Sequence, residues 1–168
     1  ILLIPGIIIC IELDQPKYSW LALSFYIFAC FSDFLDGYIA RKYDIESNFG
    51  KFLDPIADKV ILCSTMISII IITNDIFIGM MGMFLLLREF WVSGLREFTA
   101  INNIQSASAV SFLAKVKTSL QFLSICSYYL SFSFNLSLGI FISSFILFLS
   151  LLVSIKTGLE YTHKAFKS

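Results

Sequence analysis

Four aspartates, Asp33, Asp36, Asp54 and Asp58, carry the spacing most suited to chemistry in this chain. Asp33, Asp36, Gly37 and Ala40 stand at i, i+3, i+4 and i+7, which places them on one face of a helix. Gly50, Asp54 and Asp58 recur every four residues and share a face on the next helix. Two helix ends thus present four carboxylates toward each other, and Gly37 and Ala40 leave room beside them. Carboxylates grouped in this way repel, and ionisable groups in membrane helices are costly and mark function. Divalent cations relieve the repulsion, and an all-oxygen donor set suits Mg²⁺, Mn²⁺ or Ca²⁺ rather than zinc. Four acids suffice for a pair of ions that share ligands and can clamp a pyrophosphate, polarise phosphorus and stabilise a departing oxygen. Salt bridging to Arg41, Lys51 and Lys59 is the simpler reading; it suits one aspartate better than four on two complementary faces.

A second cluster is cationic: Arg88, Arg96, Lys115 and Lys117. Arg88 and Glu89 interrupt an apolar stretch, and Arg96 and Glu97 repeat the pair eight residues on, on nearly the same face. Mutual neutralisation with snorkelling to the interface explains Arg96 more readily than Arg88, which lies deeper. A convergent set of Arg and Lys suits a phosphate dianion.

The elements that position these groups follow from hydropathy. Of the 168 residues 58% are hydrophobic and only 14% charged, against about 25% charged in an ordinary soluble domain. Continuous apolar runs recur, where a membrane helix needs about 20 apolar residues. A β-barrel is excluded, because the runs do not alternate. The reading is an all-α polytopic membrane protein with six transmembrane helices in a single domain over 1–168. The spans are 1–12, 19–40, 52–73, 76–97, 116–132 and 135–156. The first is too short to cross and is read as a helix truncated at its start; it lacks the charged region and cleavage site of a signal peptide. No internal repeat of the transporter kind appears. Only Lys17 of the twelve Lys and Arg falls in the short connectors 13–18, 74–75 and 133–135. The positive-inside rule therefore puts the other face, with both clusters and both termini, in the cytoplasm. Zero net charge argues against nucleic acid as partner. Cys10, Cys30, Cys63 and Cys126 stand singly in apolar runs as packing residues, and His163 reads as a solvated surface residue.

The segment Asp33-Phe-Leu-Asp36-Gly37-Tyr-Ile-Ala40-Arg41, followed by Gly50, Asp54 and Asp58 at their intervals, resembles the signature of the CDP-alcohol phosphatidyltransferases at all eight defining positions. The resemblance implies a six-helix fold, usually a homodimer, with the active site opening to cytoplasm and lipid. It implies Asp33, Asp36, Asp54 and Asp58 as ligands of Mg²⁺ or Mn²⁺, with Asp58 also the general base on the acceptor hydroxyl. Gly37 and Ala40 would let cytidine pack against helix backbone, and Arg41 would pair with phosphate or nearby acids. Gly50 belongs to the same CDP-donor site. The stretches Arg88 to Glu97 and Ala114 to Thr118 further resemble bacterial phosphatidylglycerophosphate synthases within that family, which implies the bacterial inner membrane. The last helix is read as generic.

The expected reaction is transfer of the phosphatidyl group from CDP-diacylglycerol to glycerol 3-phosphate, giving phosphatidylglycerol phosphate and CMP, with Arg88, Arg96, Lys115 and Lys117 holding the acceptor phosphate. No Ser, His or Cys stands in the acidic motif as a nucleophile, so direct transfer is simplest. Other acceptors remain open: phosphatidylglycerol, serine or an inositol phosphate. From other classes, a divalent-cation transporter and a structural subunit with a solvated acidic face are the alternatives.

Overall fold

The computed structural model describes residues 16–43, 48–102 and 112–167. They form five helices: α1 (Pro16–Tyr43), α2 (Asn48–Thr73), α3 (Ile76–Ile101), α4 (Phe112–Ser133) and α5 (Ser137–Phe166). Five of the six expected spans are therefore helices in the expected order; the first, at 1–12, lies outside the described residues. Among the described residues, three stretches are long and apolar enough to cross a membrane: Pro55–Thr73, Ile76–Ile101 and Ser137–Phe166. Ser19–Ser32 is a shorter apolar run. The described residues are thus all-helical, with membrane-spanning character.

Two tight connections fold the bundle. Asn74 (φ 47°) ends α2 and Asn135 (φ 52°) follows α4, both left-handed, a conformation asparagine reaches more cheaply than most residues because its short amide bonds locally. Asp75 caps α3 by accepting from the Phe77 amide at 2.7 Å. These turns make α2–α3 and α4–α5 antiparallel neighbours, and α1 packs on α4 while α3 packs on α5. The core joins Ala22, Leu23 and Tyr26 of α1, Met66 and Ile69 of α2, Leu85 of α3, Tyr128 and Tyr129 of α4, and Leu147 of α5.

Apolar burial cannot by itself select a partner helix in lipid, so small and hydroxylic residues mark the contacts. Ser124 donates to the Ser143 carbonyl at 3.1 Å, Ser143 donates to Ser127 at 2.7 Å, and Tyr128 meets Ser144 at 2.9 Å, tying α4 to α5. Ser68 and Tyr129 share a hydrogen bond that ties α2 to α4. Gly139 serves the same seam, where any Cβ would collide with the Ser131 side chain.

Every one of the five helices outruns its hydropathic span. The polar ends continue the backbone ladder while the apolar signal stops. The largest extension is in α5, which continues from the expected end at 156 to Phe166.

Candidate active site

Asp33, Asp36, Gly37, Ala40 and Arg41 lie on helical backbone in α1, and Gly50, Asp54 and Asp58 on helical backbone in α2. The periodicity expected of both faces is therefore present. The side chains of Asp33, Asp36, Arg41 and Asp54 lie outside what the structure describes. Asp58 is described, and it lines two adjoining cavities.

The smaller cavity, about 270 Å³, brings Asp58 of α2 together with Arg88 and Arg96 of α3 and with Lys115 and Lys117 of α4. All four cations anticipated from the sequence thus converge beside one carboxylate of the acidic motif. The larger cavity, about 370 Å³, shares Asp58, Glu89, Lys117 and Thr118 with the first and continues along Tyr26, Ile61, Leu62 and Phe122. One end of the joined space is charged and the other apolar.

Glu89 organises the charged end. Its Oε1 accepts from Arg88 Nη1 at 3.1 Å and from the Lys117 ammonium. Arg88 and Lys117 side chains are only 10% and 7% exposed, so each needs a counter-charge near it. The expected neutralisation of Arg88 by Glu89 is present, but the carboxylate is shared with a second helix. Among the described residues, the walls of the smaller cavity carry four cations and the two carboxylates Asp58 and Glu89, an excess of two positive charges. That excess matches a phosphate dianion. Glu89→Gln leaves two buried cations facing each other, and is expected to cost about 3–5 kcal/mol and to lower the thermal midpoint in detergent by several degrees. Added glycerol 3-phosphate should raise the midpoint more in the variant than in the parent; an equal rise in both would show that Glu89 is not the counter-charge.

The last helix, read as generic from sequence, is part of this site. Arg88 Nε donates to the Ser154 carbonyl at 2.7 Å, and Nη2 donates to Thr157 Oγ1 at 2.5 Å. Arg96 lies over the Tyr161 ring, 5.1 Å from its centre, and its Nη2 donates to the Tyr161 hydroxyl at 3.2 Å. Trp91 Nε1 donates to Thr162 Oγ1 at 3.0 Å. α5 therefore supplies partners to both arginines, the buried Arg88 and the exposed Arg96. The signal available was the polar stripe Ser154, Thr157, Gly158, Tyr161 at helical spacing, hidden because hydropathy ends the span before it. His163 is exposed in the last turn of α5, as expected, and Cys30, Cys63 and Cys126 are partly buried. Among the described residues no group of three or more His, Cys, Asp or Glu could hold a metal ion, as only Asp58 of the acidic motif has a described side chain.

Comparison with known proteins supplies the family. The model of the CDP-alcohol phosphatidyltransferase family matches residues 1–156. A protein of Rickettsia bellii named CDP-diacylglycerol–glycerol-3-phosphate 3-phosphatidyltransferase is 38% identical over 159 residues, covering 94% of this chain and 86% of its own. A protein of the same name from Wigglesworthia glossinidia brevipalpis is 33% identical over 156 residues, covering 90% of this chain and 86% of its own. One from Rickettsia felis is 41% identical over 121 residues, covering 72% of this chain and 65% of its own. With the acidic motif on two packed helices and the family match running almost end to end, this chain belongs to the CDP-alcohol phosphatidyltransferases, a family of membrane enzymes.

Proposed function

We propose that the enzyme transfers the phosphatidyl group of CDP-diacylglycerol to glycerol 3-phosphate, giving phosphatidylglycerol phosphate and CMP. The observation that carries this reading is the cavity in which Asp58 stands with Arg88, Arg96, Lys115 and Lys117. A choline, ethanolamine or serine acceptor needs no such excess of positive charge, whereas glycerol 3-phosphate brings a dianion of its own. The names borne by the relatives from Rickettsia and Wigglesworthia point to the same pair of substrates.

In this reading the four cations hold the acceptor phosphate and so place the acceptor hydroxyl near Asp58. That hydroxyl oxygen attacks the phosphorus bearing diacylglycerol, and its proton passes to the Asp58 carboxylate. The bond from that phosphorus to the bridging oxygen breaks, and CMP leaves with the oxygen. The apolar wall formed by Tyr26, Ile61, Leu62 and Phe122 suits the lipid body of the donor. Gly37, Ala40, Arg41 and Gly50 belong to the side that receives the CDP.

Asp33, Asp36, Asp54 and Asp58 form an all-oxygen set on two neighbouring helices, and this chemistry fits two divalent ions, Mg²⁺ or Mn²⁺. Such ions would neutralise the donor pyrophosphate and stabilise the charge on departing CMP. A single membrane domain of six spans, a homodimer, and an active face turned to the cytoplasm at the bacterial inner membrane complete the proposal. The orientation rests on the Lys and Arg asymmetry.

The test is a panel of acceptors. Purified protein in detergent is given CDP-diacylglycerol, Mg²⁺ or Mn²⁺, and in turn glycerol 3-phosphate, phosphatidylglycerol, serine or inositol phosphate. CMP release with glycerol 3-phosphate and not with the others is expected. Release with another acceptor and none with glycerol 3-phosphate removes the proposal. EDTA should abolish turnover, and either ion should restore it.

A further inference from the structure

We infer that one face of α5, through Thr157 and Gly158, is a positioning device that holds the Arg88 guanidinium ready for the acceptor phosphate. The inference rests on the acceptor reading above and goes beyond it, to a helix that lies outside both charged motifs.

Arginine has a long stem with many rotamers, and ordering it when substrate arrives weakens binding. Arg88 is ordered beforehand by three contacts. Nε, which has a single hydrogen, gives it to the Ser154 carbonyl; Nη2 gives one to Thr157 Oγ1; Nη1 gives one to Glu89. A guanidinium has five N–H groups, so one remains on each terminal nitrogen. That pair is what a phosphate takes in a bidentate contact. The anchors therefore fix the plane of the group without consuming the donors that substrate needs.

Thr157 is itself oriented. Its hydroxyl donates back into its own helix, to the Val153 and Ser154 carbonyls at 3.0 and 2.9 Å, which leaves a lone pair for Arg88. Ser154 and Thr157 are fully buried, so water cannot take their place. Gly158 sets the distance. A Cβ there would stand 3.2 Å from Arg88 Nε and 3.3 Å from its Cγ. The bond from Nε to Ser154 prevents the arginine from yielding freely, and the absent side chain is what lets the guanidinium lie against α5.

The experiment measures KM for glycerol 3-phosphate and for CDP-diacylglycerol, with kcat, in the full-length protein and in Thr157→Val, Thr157→Ser and Gly158→Ala. Thr157→Val keeps the shape and removes the acceptor, and should raise KM for glycerol 3-phosphate by about tenfold, the usual weight of a hydrogen bond to a charged group. KM for CDP-diacylglycerol should stay within about twofold, and kcat should change less than the acceptor KM. Thr157→Ser restores the hydroxyl and should return KM to within about twofold of the parent. Gly158→Ala, whose helix propensity favours folding, should raise the same KM by displacing the guanidinium. Should Thr157→Val fold poorly, Gly158→Ala alone decides. An unchanged acceptor KM in the folded variants, equal rises for both substrates, or no rescue by serine overturns the inference. No CMP release by the parent protein with glycerol 3-phosphate overturns the acceptor reading instead.

Discussion

Asp58→Asn is expected to lower CMP release by about 10³-fold or more while the helix content stays that of the parent. Asp58 lines both cavities and its residue is exposed, so the amide, equal in size, removes no packing. What it removes is a negative oxygen able to take a proton and to face a divalent ion. Loss of a general base alone is worth about 10²–10⁴ in rate, and loss of a metal ligand adds to it. Circular dichroism and the elution volume in detergent check the fold, and CMP release at saturating substrates checks the rate. A variant that keeps a tenth of the parent activity would mean that Asp58 neither takes the proton nor holds the metal. The same result would favour a structural acidic face.

Arg88→Ala has the second largest expected effect, and it falls on a different quantity. KM for glycerol 3-phosphate should rise by about a hundredfold or more, as a charged, desolvated contact is worth roughly 3 kcal/mol. KM for CDP-diacylglycerol should change little. The substitution also strips Glu89 of one cation and leaves Thr157 and the Ser154 carbonyl without the donor they now have. A stability loss of about 3–5 kcal/mol follows from breaking such a buried pair, so the kinetic reading needs the conservative variant beside it. Arg88→Lys retains the charge but has a point ammonium in place of the planar fork. It cannot meet Ser154, Thr157 and Glu89 together and still face substrate with two donors. An intermediate KM is therefore expected. Equal KM increases for both substrates in these variants would remove Arg88 from the acceptor pocket.

How much of this site was legible beforehand differs by residue. The aspartates and the cations announce themselves because charge inside an apolar run has to be accounted for, and helical periodicity then assigns each to a face. Glu89 was visible only as the neighbour of Arg88. Its second partner, Lys117, comes from another helix, 28 residues on, and such a pairing depends on how α3 and α4 meet. Thr157 and Gly158 carry no charge and lie past the end of the apolar signal. In sequence, a glycine near the end of a span reads as a helix terminator. In the fold the absent side chain of Gly158 leaves the room in which the Arg88 stem lies.

The sequence by itself determined the class, the helices and the kind of chemistry. Hydropathy, period and the spacing of Asp33, Asp36, Gly37, Ala40, Arg41, Gly50, Asp54 and Asp58 are local properties, and local properties are written in the order of residues. Only the tertiary structure decided which groups share a space. It put Asp58 with Arg88, Arg96, Lys115 and Lys117 around one cavity, made Glu89 a counter-charge for two helices, and gave the last helix the task of holding the arginines. The physical reason is that a buried cation needs partners on every side, and a single helix offers it only one.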